Sequence, residues 1–195
     1  MKIFFILLTF IILGFGIVYK MNYAPTENNY DILQANYGGD FTLDSKAGKI
    51  SLSDFKGKVT ILYFGFATCP DVCPMSLSYL SKALKKVEGS EDVQVIFISV
   101  DYKRDTPSKA DNYAKFFNKQ FIGATGTKEE IDQVVSQYNV YYKFIEMPDS
   151  AIEYTVDHTS RFFIINRDGK ARKMIRSDED QEIFIKELTA VIKNN

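Results

Sequence analysis

The sequence predicts an α/β domain, a mixed sheet with helices on both faces, placed behind an N-terminal membrane segment. Three observations carry that prediction. Apolar runs of strand length at 59–66, 93–100 and 161–165 are separated by amphipathic stretches of helix length, the pattern of a sheet covered on two sides. The last third closes on a hairpin turn signal and one more amphipathic helix, which adds antiparallel strands to a sheet otherwise built through crossovers. Ahead of all this, residues 3–19 form an uncharged stretch between Lys2 and Lys20.

That stretch comes first in the chain. At about 1.5 Å per residue it covers roughly 25 Å, the short end of a spanning helix and longer than the apolar part of an ordinary signal peptide. No small-x-small cleavage pattern precedes Tyr23, and no cysteine near residue 20 is available to carry a lipid. Residues 1–21 are therefore expected to form a transmembrane anchor, and the polar 22–36, with Pro25, a linker to a folded domain over 37–195. One lysine on each side leaves orientation undecided by charge. A single N-terminal anchor before a long soluble domain ordinarily delivers that domain across the membrane, and no Arg-rich transit peptide is present. The expected place is a bacterial inner membrane, single-pass, with the domain on the periplasmic side; a tethered cytoplasmic domain is the alternative.

Within the domain, residues 41–43 and 49–52 flank Asp44-Ser45-Lys46-Ala47-Gly48 as a hairpin, and 59–66 follows as a buried strand. Pro74 is tolerated only at the start of a helix, so a helix is expected from near Cys73 to about 87, with Cys69 in the loop before it. Residues 93–100 form a second buried strand. Thr106-Pro107 opens a helix reaching about 118, and the capping box Thr127-Lys-Glu-Glu130 opens another ending near Tyr138. Short strands at 140–145 and 154–156 surround a loop at Pro148; 161–165, the turn Asn166-Arg-Asp-Gly169 and 170–175 form a hairpin; a helix capped by Ser177 runs from 178 to about 193. This order, with the cysteines after the first long strand, resembles a thioredoxin-like fold.

Composition narrows the function. The 195 residues are 46% hydrophobic and 25% charged, enough for one folded domain with a core. Beyond Lys20 the chain holds 22 of its 24 basic residues against all 25 acidic ones, mildly acidic, with lysines interspersed among acids. No nucleic-acid partner is expected, and phosphate-loop and dinucleotide signatures are missing.

The chemistry lies in Cys69-Pro-Asp-Val-Cys73-Pro, which holds both cysteines of the chain. One helical turn apart, their Cα atoms would lie about 6 Å apart, which allows either a disulfide or a shared metal. A purely structural bridge is the weaker reading, because closing three intervening residues constrains the unfolded chain little. A helix N-terminus beside Cys73 favours thiolate there, which suits metal binding and thiol exchange alike. His158, the one histidine, precedes the strand at 161–165 and could meet the cysteines at one end of the sheet. Two thiolates and an imidazole suit copper as Cu(I) or Cu(II); zinc could use the same set. Around them, Asp71 could tune the thiols, Met75 add a thioether and Asp157 orient His158, though turn, packing and capping roles are the ordinary uses. Asp101, Arg104 and Asp105 read as loop stabilisers before a partner surface.

Taken together, Gly57-Lys58, Gly65-Phe66 leading into the cysteine segment, Val100-Asp101 with Arg104-Asp105-Thr106-Pro107, and Val156-Asp157-His158 resemble the Sco/SenC family of copper-binding proteins of respiratory oxidase assembly. The resemblance covers nearly the whole domain. It implies a membrane-anchored, thioredoxin-like metallochaperone, a carrier rather than an enzyme. Cys69, Cys73 and His158 would hold copper, and the partner would be the copper-bearing subunit of cytochrome c oxidase, whose binuclear centre it helps to load. Other copper chaperones or thiol reductants are implied as further partners. Many members have histidine where this chain has Thr68, a position outside the implied ligand set. The alternative is a thiol-disulfide oxidoreductase that uses Cys69 and Cys73 to keep the acceptor cysteines reduced. General oxidoreductases of this fold carry C-x-x-C and a proline before the facing strand, whereas here the spacing is C-x-x-x-C and Asp157-His158-Thr159-Ser160 has no proline. A peroxidase is disfavoured by Phe66 three residues before Cys69 and by the lack of tryptophan.

Overall fold

The computed structural model describes residues 37–194; the anchor and linker expected over 1–36 lie outside them. Among the described residues no helix is long and apolar enough to cross a membrane. The chain runs β1 (Thr42–Ser45), β2 (Gly48–Ser51), β3 (Val59–Gly65), α1 (Val72–Leu84), β4 (Val93–Ser99), α2 (Pro107–Phe117), β5 (Ile122–Thr125), α3 (Lys128–Gln137), β6 (Tyr142–Glu146), β7 (Tyr154–His158), β8 (Arg161–Ile165), β9 (Ala171–Arg176) and α4 (Gln181–Lys193).

Seven strands form one sheet in the order β2-β1-β5-β4-β3-β8-β9, while β6 and β7 pair with each other as a separate ribbon. β3, β4 and β5 are parallel; β8 runs antiparallel to β3, and β1 antiparallel to β5. The sheet is therefore mixed, as expected. Alternation along β3 and β8 divides the core. Tyr63 and Phe162 face one side, where Tyr79 of α1 stacks on Phe162 at 5.9 Å, Phe184 of α4 meets the same ring at 5.5 Å, and Tyr113 of α2 meets Phe97 at 5.2 Å. Phe64 and Phe163 face the other, against Tyr138 at the end of α3. Both faces are thus covered. Every residue of β3 is buried, and each such large apolar side chain contributes about 1.5–3 kcal/mol through removal from water.

The expected caps of the two middle helices are present: Thr106 accepts from the Lys109 amide, and Thr127 and Glu130 exchange side-chain-to-amide bonds. Several boundaries differ. α1 starts one residue early, so Pro74 occupies its first turn, and it ends at Leu84, after which Lys86 and Val87 bond back three residues in a tighter turn. α4 starts at Gln181 and is capped by Asp180, which accepts from the amides of Glu182 and Ile183; the hydroxyl of Ser177 is buried instead against Ser160. β7 extends to His158, which lies at a strand end rather than in a loop.

β5 has no strand signal in the sequence. β5 has only four residues and contains Gly123, a poor strand former. The glycine is required there because a Cβ at position 123 would lie 2.1 Å from the backbone of Ala110, where α2 crosses the strand.

Candidate metal centre

Antiparallel pairing of β3 with β8 decides where the chemistry collects. The end of β3, which leads to Cys69, lies beside the start of β8, which follows His158, because Tyr63 pairs with Phe162. Cys73 occupies the first turn of α1 and is buried; Cys69 in the preceding loop is half-buried. The two sulfurs and a ring nitrogen of His158 all lie within 4.8 Å of one another. Nε2 of His158 is 3.3 Å from Cys73 Sγ. All three residues singled out in the sequence are brought together.

Each donor is prepared by its surroundings. His158 Nδ1 lies 3.1 Å from the carbonyl oxygen of Thr159, an acceptor only, so Nδ1 carries the proton and Nε2 presents its lone pair to the sulfurs. The orienting group is thus a backbone oxygen and not the Asp157 carboxylate. Phe66 meets the imidazole edge-on at 5.8 Å. The amide of Cys73 donates to Cys69 Sγ at 3.4 Å, a helix N-terminus offered to a sulfur. A hydrogen bond from the Cys73 thiol, with the amides of Cys73 and Asp71, outweighs burial and brings the Cys69 thiol down to about 4. Burial, and then the neighbouring Cys69, push the Cys73 thiol well up. The pair therefore parts its protons: Cys69 is the thiolate and Cys73 the donor of the first proton-sharing contact.

The supports reach further than these three residues. Asp105, 4% exposed, accepts from the Ala67 amide at 2.7 Å and from Ser99 Oγ at 2.6 Å, fixing the loop that carries Cys69. Lys109 pairs with the same carboxylate at 2.8 Å and donates to Thr68 Oγ1 at 3.1 Å. Asp101, fully buried, accepts from Tyr154 at 2.8 Å and from Arg104 Nε at 2.6 Å. Arg104 also donates to the carbonyls of Ile152 and Tyr154 and lies 3.6 Å over the Tyr154 ring. One segment, 101–105, therefore holds the loop of Cys69 with one end and the strand of His158 with the other. Asp101, Arg104 and Asp105 are loop stabilisers here, the more ordinary of their two readings.

The family model described as SCO1/SenC matches residues 30–193. The chain belongs to the SCO1/SenC family. Within it, the chain is 32% identical to a SCO2-like protein of Rickettsia felis over 95% of this chain and 93% of that protein. Its fold is similar to two solved Sco structures described with copper bound. One, ScoI of Arabidopsis thaliana, is 37% identical and covers 81% of this chain and 99% of its own, with a TM-score of 0.75. The other, ScoI of Bradyrhizobium japonicum, is 35% identical over 80% of this chain and 99% of its own, with a TM-score of 0.71. The mixed, thioredoxin-like sheet with flanking helices is thus the Sco fold.

Met75 and Asp71 do not join the three donors of the Sco fold's candidate site. Met75 is 60% exposed on α1 rather than packed in the core. Asp71 occupies the N-cap position of α1 without making a side-chain cap bond, and it lines the open groove beside Cys69 together with Pro70, Thr155 and Asp157. Gly65, which closes β3, matters in its own right. A Cβ there would lie 2.8 Å from Cys73 Sγ and 3.0 Å from Phe97, so only glycine lets the sulfur sit against the end of β3. A glycine closing a run of buried apolar residues just before a cysteine segment was the available signal.

Proposed function

We propose that Cys69, Cys73 and His158 bind copper and that the protein is a metallochaperone, anchored by residues 1–21 through the linker 22–36, that serves assembly of the binuclear copper centre of cytochrome c oxidase. The observation that carries this reading is the donor set: two sulfurs and an imidazole nitrogen within 4.8 Å, with the imidazole tautomer already directing its lone pair inward. Soft thiolates suit Cu(I), and the nitrogen adds affinity for Cu(II). The copper described in the two similar Sco structures supports the same cargo. Cys69 as thiolate needs no deprotonation to receive the ion, and Cys73 releases its proton as its sulfur is engaged. The domain would face the periplasm and meet the copper-bearing oxidase subunit there, with other copper chaperones or thiol reductants as suppliers.

The uneven thiols favour a second reading as well. A half-buried thiolate beside a buried thiol is the arrangement of an attacking and a resolving cysteine, as a thiol-disulfide oxidoreductase acting on the acceptor's cysteines would require. The deciding experiment loads the reduced domain with copper beside Cys69→Ala, Cys73→Ala and His158→Ala variants. One equivalent of copper, with a thiolate-to-Cu(II) absorption band altered or lost in each variant, is the expected result. No retained copper together with rapid disulfide exchange would establish the second reading instead.

A further inference from the structure

The ribbon of β6 and β7 has two unlike faces. Its register sets Tyr142 opposite His158 and Phe144 opposite Val156, and this inner face packs on the domain, with Phe144 meeting Tyr154 and Tyr102 each at 5.3 Å. The alternate side chains point the other way. Ile145 stands opposite Thr155 and Lys143 opposite Asp157, and the row continues to Tyr141 at one end and Met147 at the other. Bonds from the Thr159 amide to the Tyr141 carbonyl and from the Met147 amide to the Glu153 carbonyl keep both ends in the same register. Five large apolar side chains are exposed among the described residues, and three of them, Tyr141, Ile145 and Met147, stand on this one outer face. A single exposed apolar residue is ordinary; three aligned on one face mark a contact surface.

The outer face runs into the candidate metal centre. Thr155 and Asp157 belong to it and also line the open groove beside Cys69, whose other walls include Asp71, Phe66 and Val72. Two carboxylates line that groove, and no lysine or arginine does. Neither Asp71 nor Asp157 has an ion pair or a side-chain hydrogen bond among the described residues, and Lys143, opposite Asp157, makes no bridge to it. Size narrows the occupant further. At about 3.4 Å per residue the face is about 20 Å long from Tyr141 to Met147, and two strands make it about 10 Å wide, or about 200 Å² in all. A stable interface takes about 800 Å² from each partner. The face with its groove therefore suits a partner that binds briefly and leaves, and it falls short of what a stable dimer of this chain needs.

We propose that the outer face of the β6–β7 ribbon and the groove it borders form the docking surface for the copper-receiving protein, which binds through an apolar segment ending in Lys or Arg. The apolar part covers Tyr141, Ile145 and Met147, and the cation meets Asp157 and Asp71. The receiving side chain is thereby brought to the open side of Cys69. The identity of that partner rests on the copper reading above.

The full-length, copper-loaded protein in detergent is titrated with the metal-free copper-bearing domain of the oxidase subunit, and binding and copper transfer are followed together. Tyr141→Ser combined with Ile145→Ser is expected to weaken binding about tenfold or more and to slow transfer in proportion, with the copper stoichiometry and absorption of the donor unchanged. Asp71→Asn combined with Asp157→Asn should slow association and flatten its dependence on salt, because steering by charge is screened by ions. Phe116→Ser, which removes the exposed ring on α2, should change neither binding nor transfer. Wild-type affinity and transfer in both double variants would overturn the inference while leaving copper binding intact, and so would an equal loss in Phe116→Ser. A wild-type dimer that the Tyr141 and Ile145 substitutions turn into monomer, with transfer unchanged, would assign the face to a second copy of this chain and overturn it as well. If wild type holds no copper, the function proposed above fails, and binding of the metal-free protein to the same domain still tests the face. Binding that is lost in the ribbon variant supports it; binding that is unaffected, or absent in wild type, overturns it.

Discussion

At the scale of single residues, the site depends on atoms that are missing as much as on those present. Gly65 has no Cβ, and the space is used by Cys73 Sγ at 2.8 Å from where one would stand. Gly65→Ala must push the sulfur out of line, so copper affinity is expected to fall at least tenfold, with only modest loss of thermal stability because the strand's other side chains still pack. Equal affinity in a titration against a competing chelator would show that the sulfur relocates freely. The thiols give a second residue-scale expectation. Cys69 titrates near 4 in the fold against an ordinary 9.0, through its bond from the Cys73 thiol, while burial raises Cys73. For Cys69, a lowered value stabilises the fold above the ordinary thiol range and the contribution is lost as pH falls toward 4; for Cys73 the stabilisation is present below that range and lost above it. Reduced, metal-free protein should therefore gain stability from pH 4 toward 9 and lose it beyond, and alkylation at pH 6 should label Cys69 while sparing Cys73, as peptide mass mapping would report. Both cysteines and His158 were legible in the sequence because reactive residue types are few in this chain. Gly65 was not, because its role lies in a distance of approach that spacing along a chain does not encode.

At the scale of elements, the segment 101–105 joins parts of the chain that never touch in sequence. Arg104 ties the ribbon of β6 and β7 to Asp101 through two carbonyls and the face of Tyr154. Arg104→Ala leaves the Asp101 carboxylate buried with fewer donors, a loss of about 3–5 kcal/mol by comparison with other broken buried pairs. The particular expectation is local: amide exchange in β6 and β7 should quicken more than in β3 or β4, and the His158 contribution to the copper spectrum should weaken while both sulfurs remain ligands. Uniform quickening across all strands would mean that the ribbon has no separate dependence on Arg104. Long apolar runs and helix caps made β3, β4, β8, α2 and α3 readable in advance, since burial on both faces and orphan amides each leave a local pattern. β5 was not readable: four residues with a central glycine carry no period, and the reason for the glycine, the backbone of α2 at Ala110, is a tertiary contact. Likewise the Arg104 contacts reach residues 48 and 50 positions away, which no motif records.

At the scale of the whole molecule, Cys73 and His158 are 85 residues apart in sequence and 3.3 Å apart in space. A metal held between them closes a long loop in the unfolded chain, worth about 4–5 kcal/mol at 25 °C by the cross-link entropy of loops approaching a hundred residues, whereas a Cys69–Cys73 disulfide closes almost none. Copper-loaded wild type is accordingly expected to unfold at higher denaturant than the oxidised metal-free form, and loaded His158→Ala should lose most of that difference; matching midpoints for the two loaded proteins would remove the cross-link explanation. The placement of the three candidate donors on two different parts of the fold has a further consequence. The sulfurs belong to the end of β3 and the start of α1, anchored in the seven-stranded sheet, but the imidazole rides on a ribbon of two strands. Two-stranded ribbons are marginal on their own and open before a sheet does. An ion leaving this site would let go of the nitrogen first, passing through a two-sulfur stage whose vacated side faces the groove, so the sequence in which bonds break and an incoming ligand takes its turn follows from which layer each donor stands on.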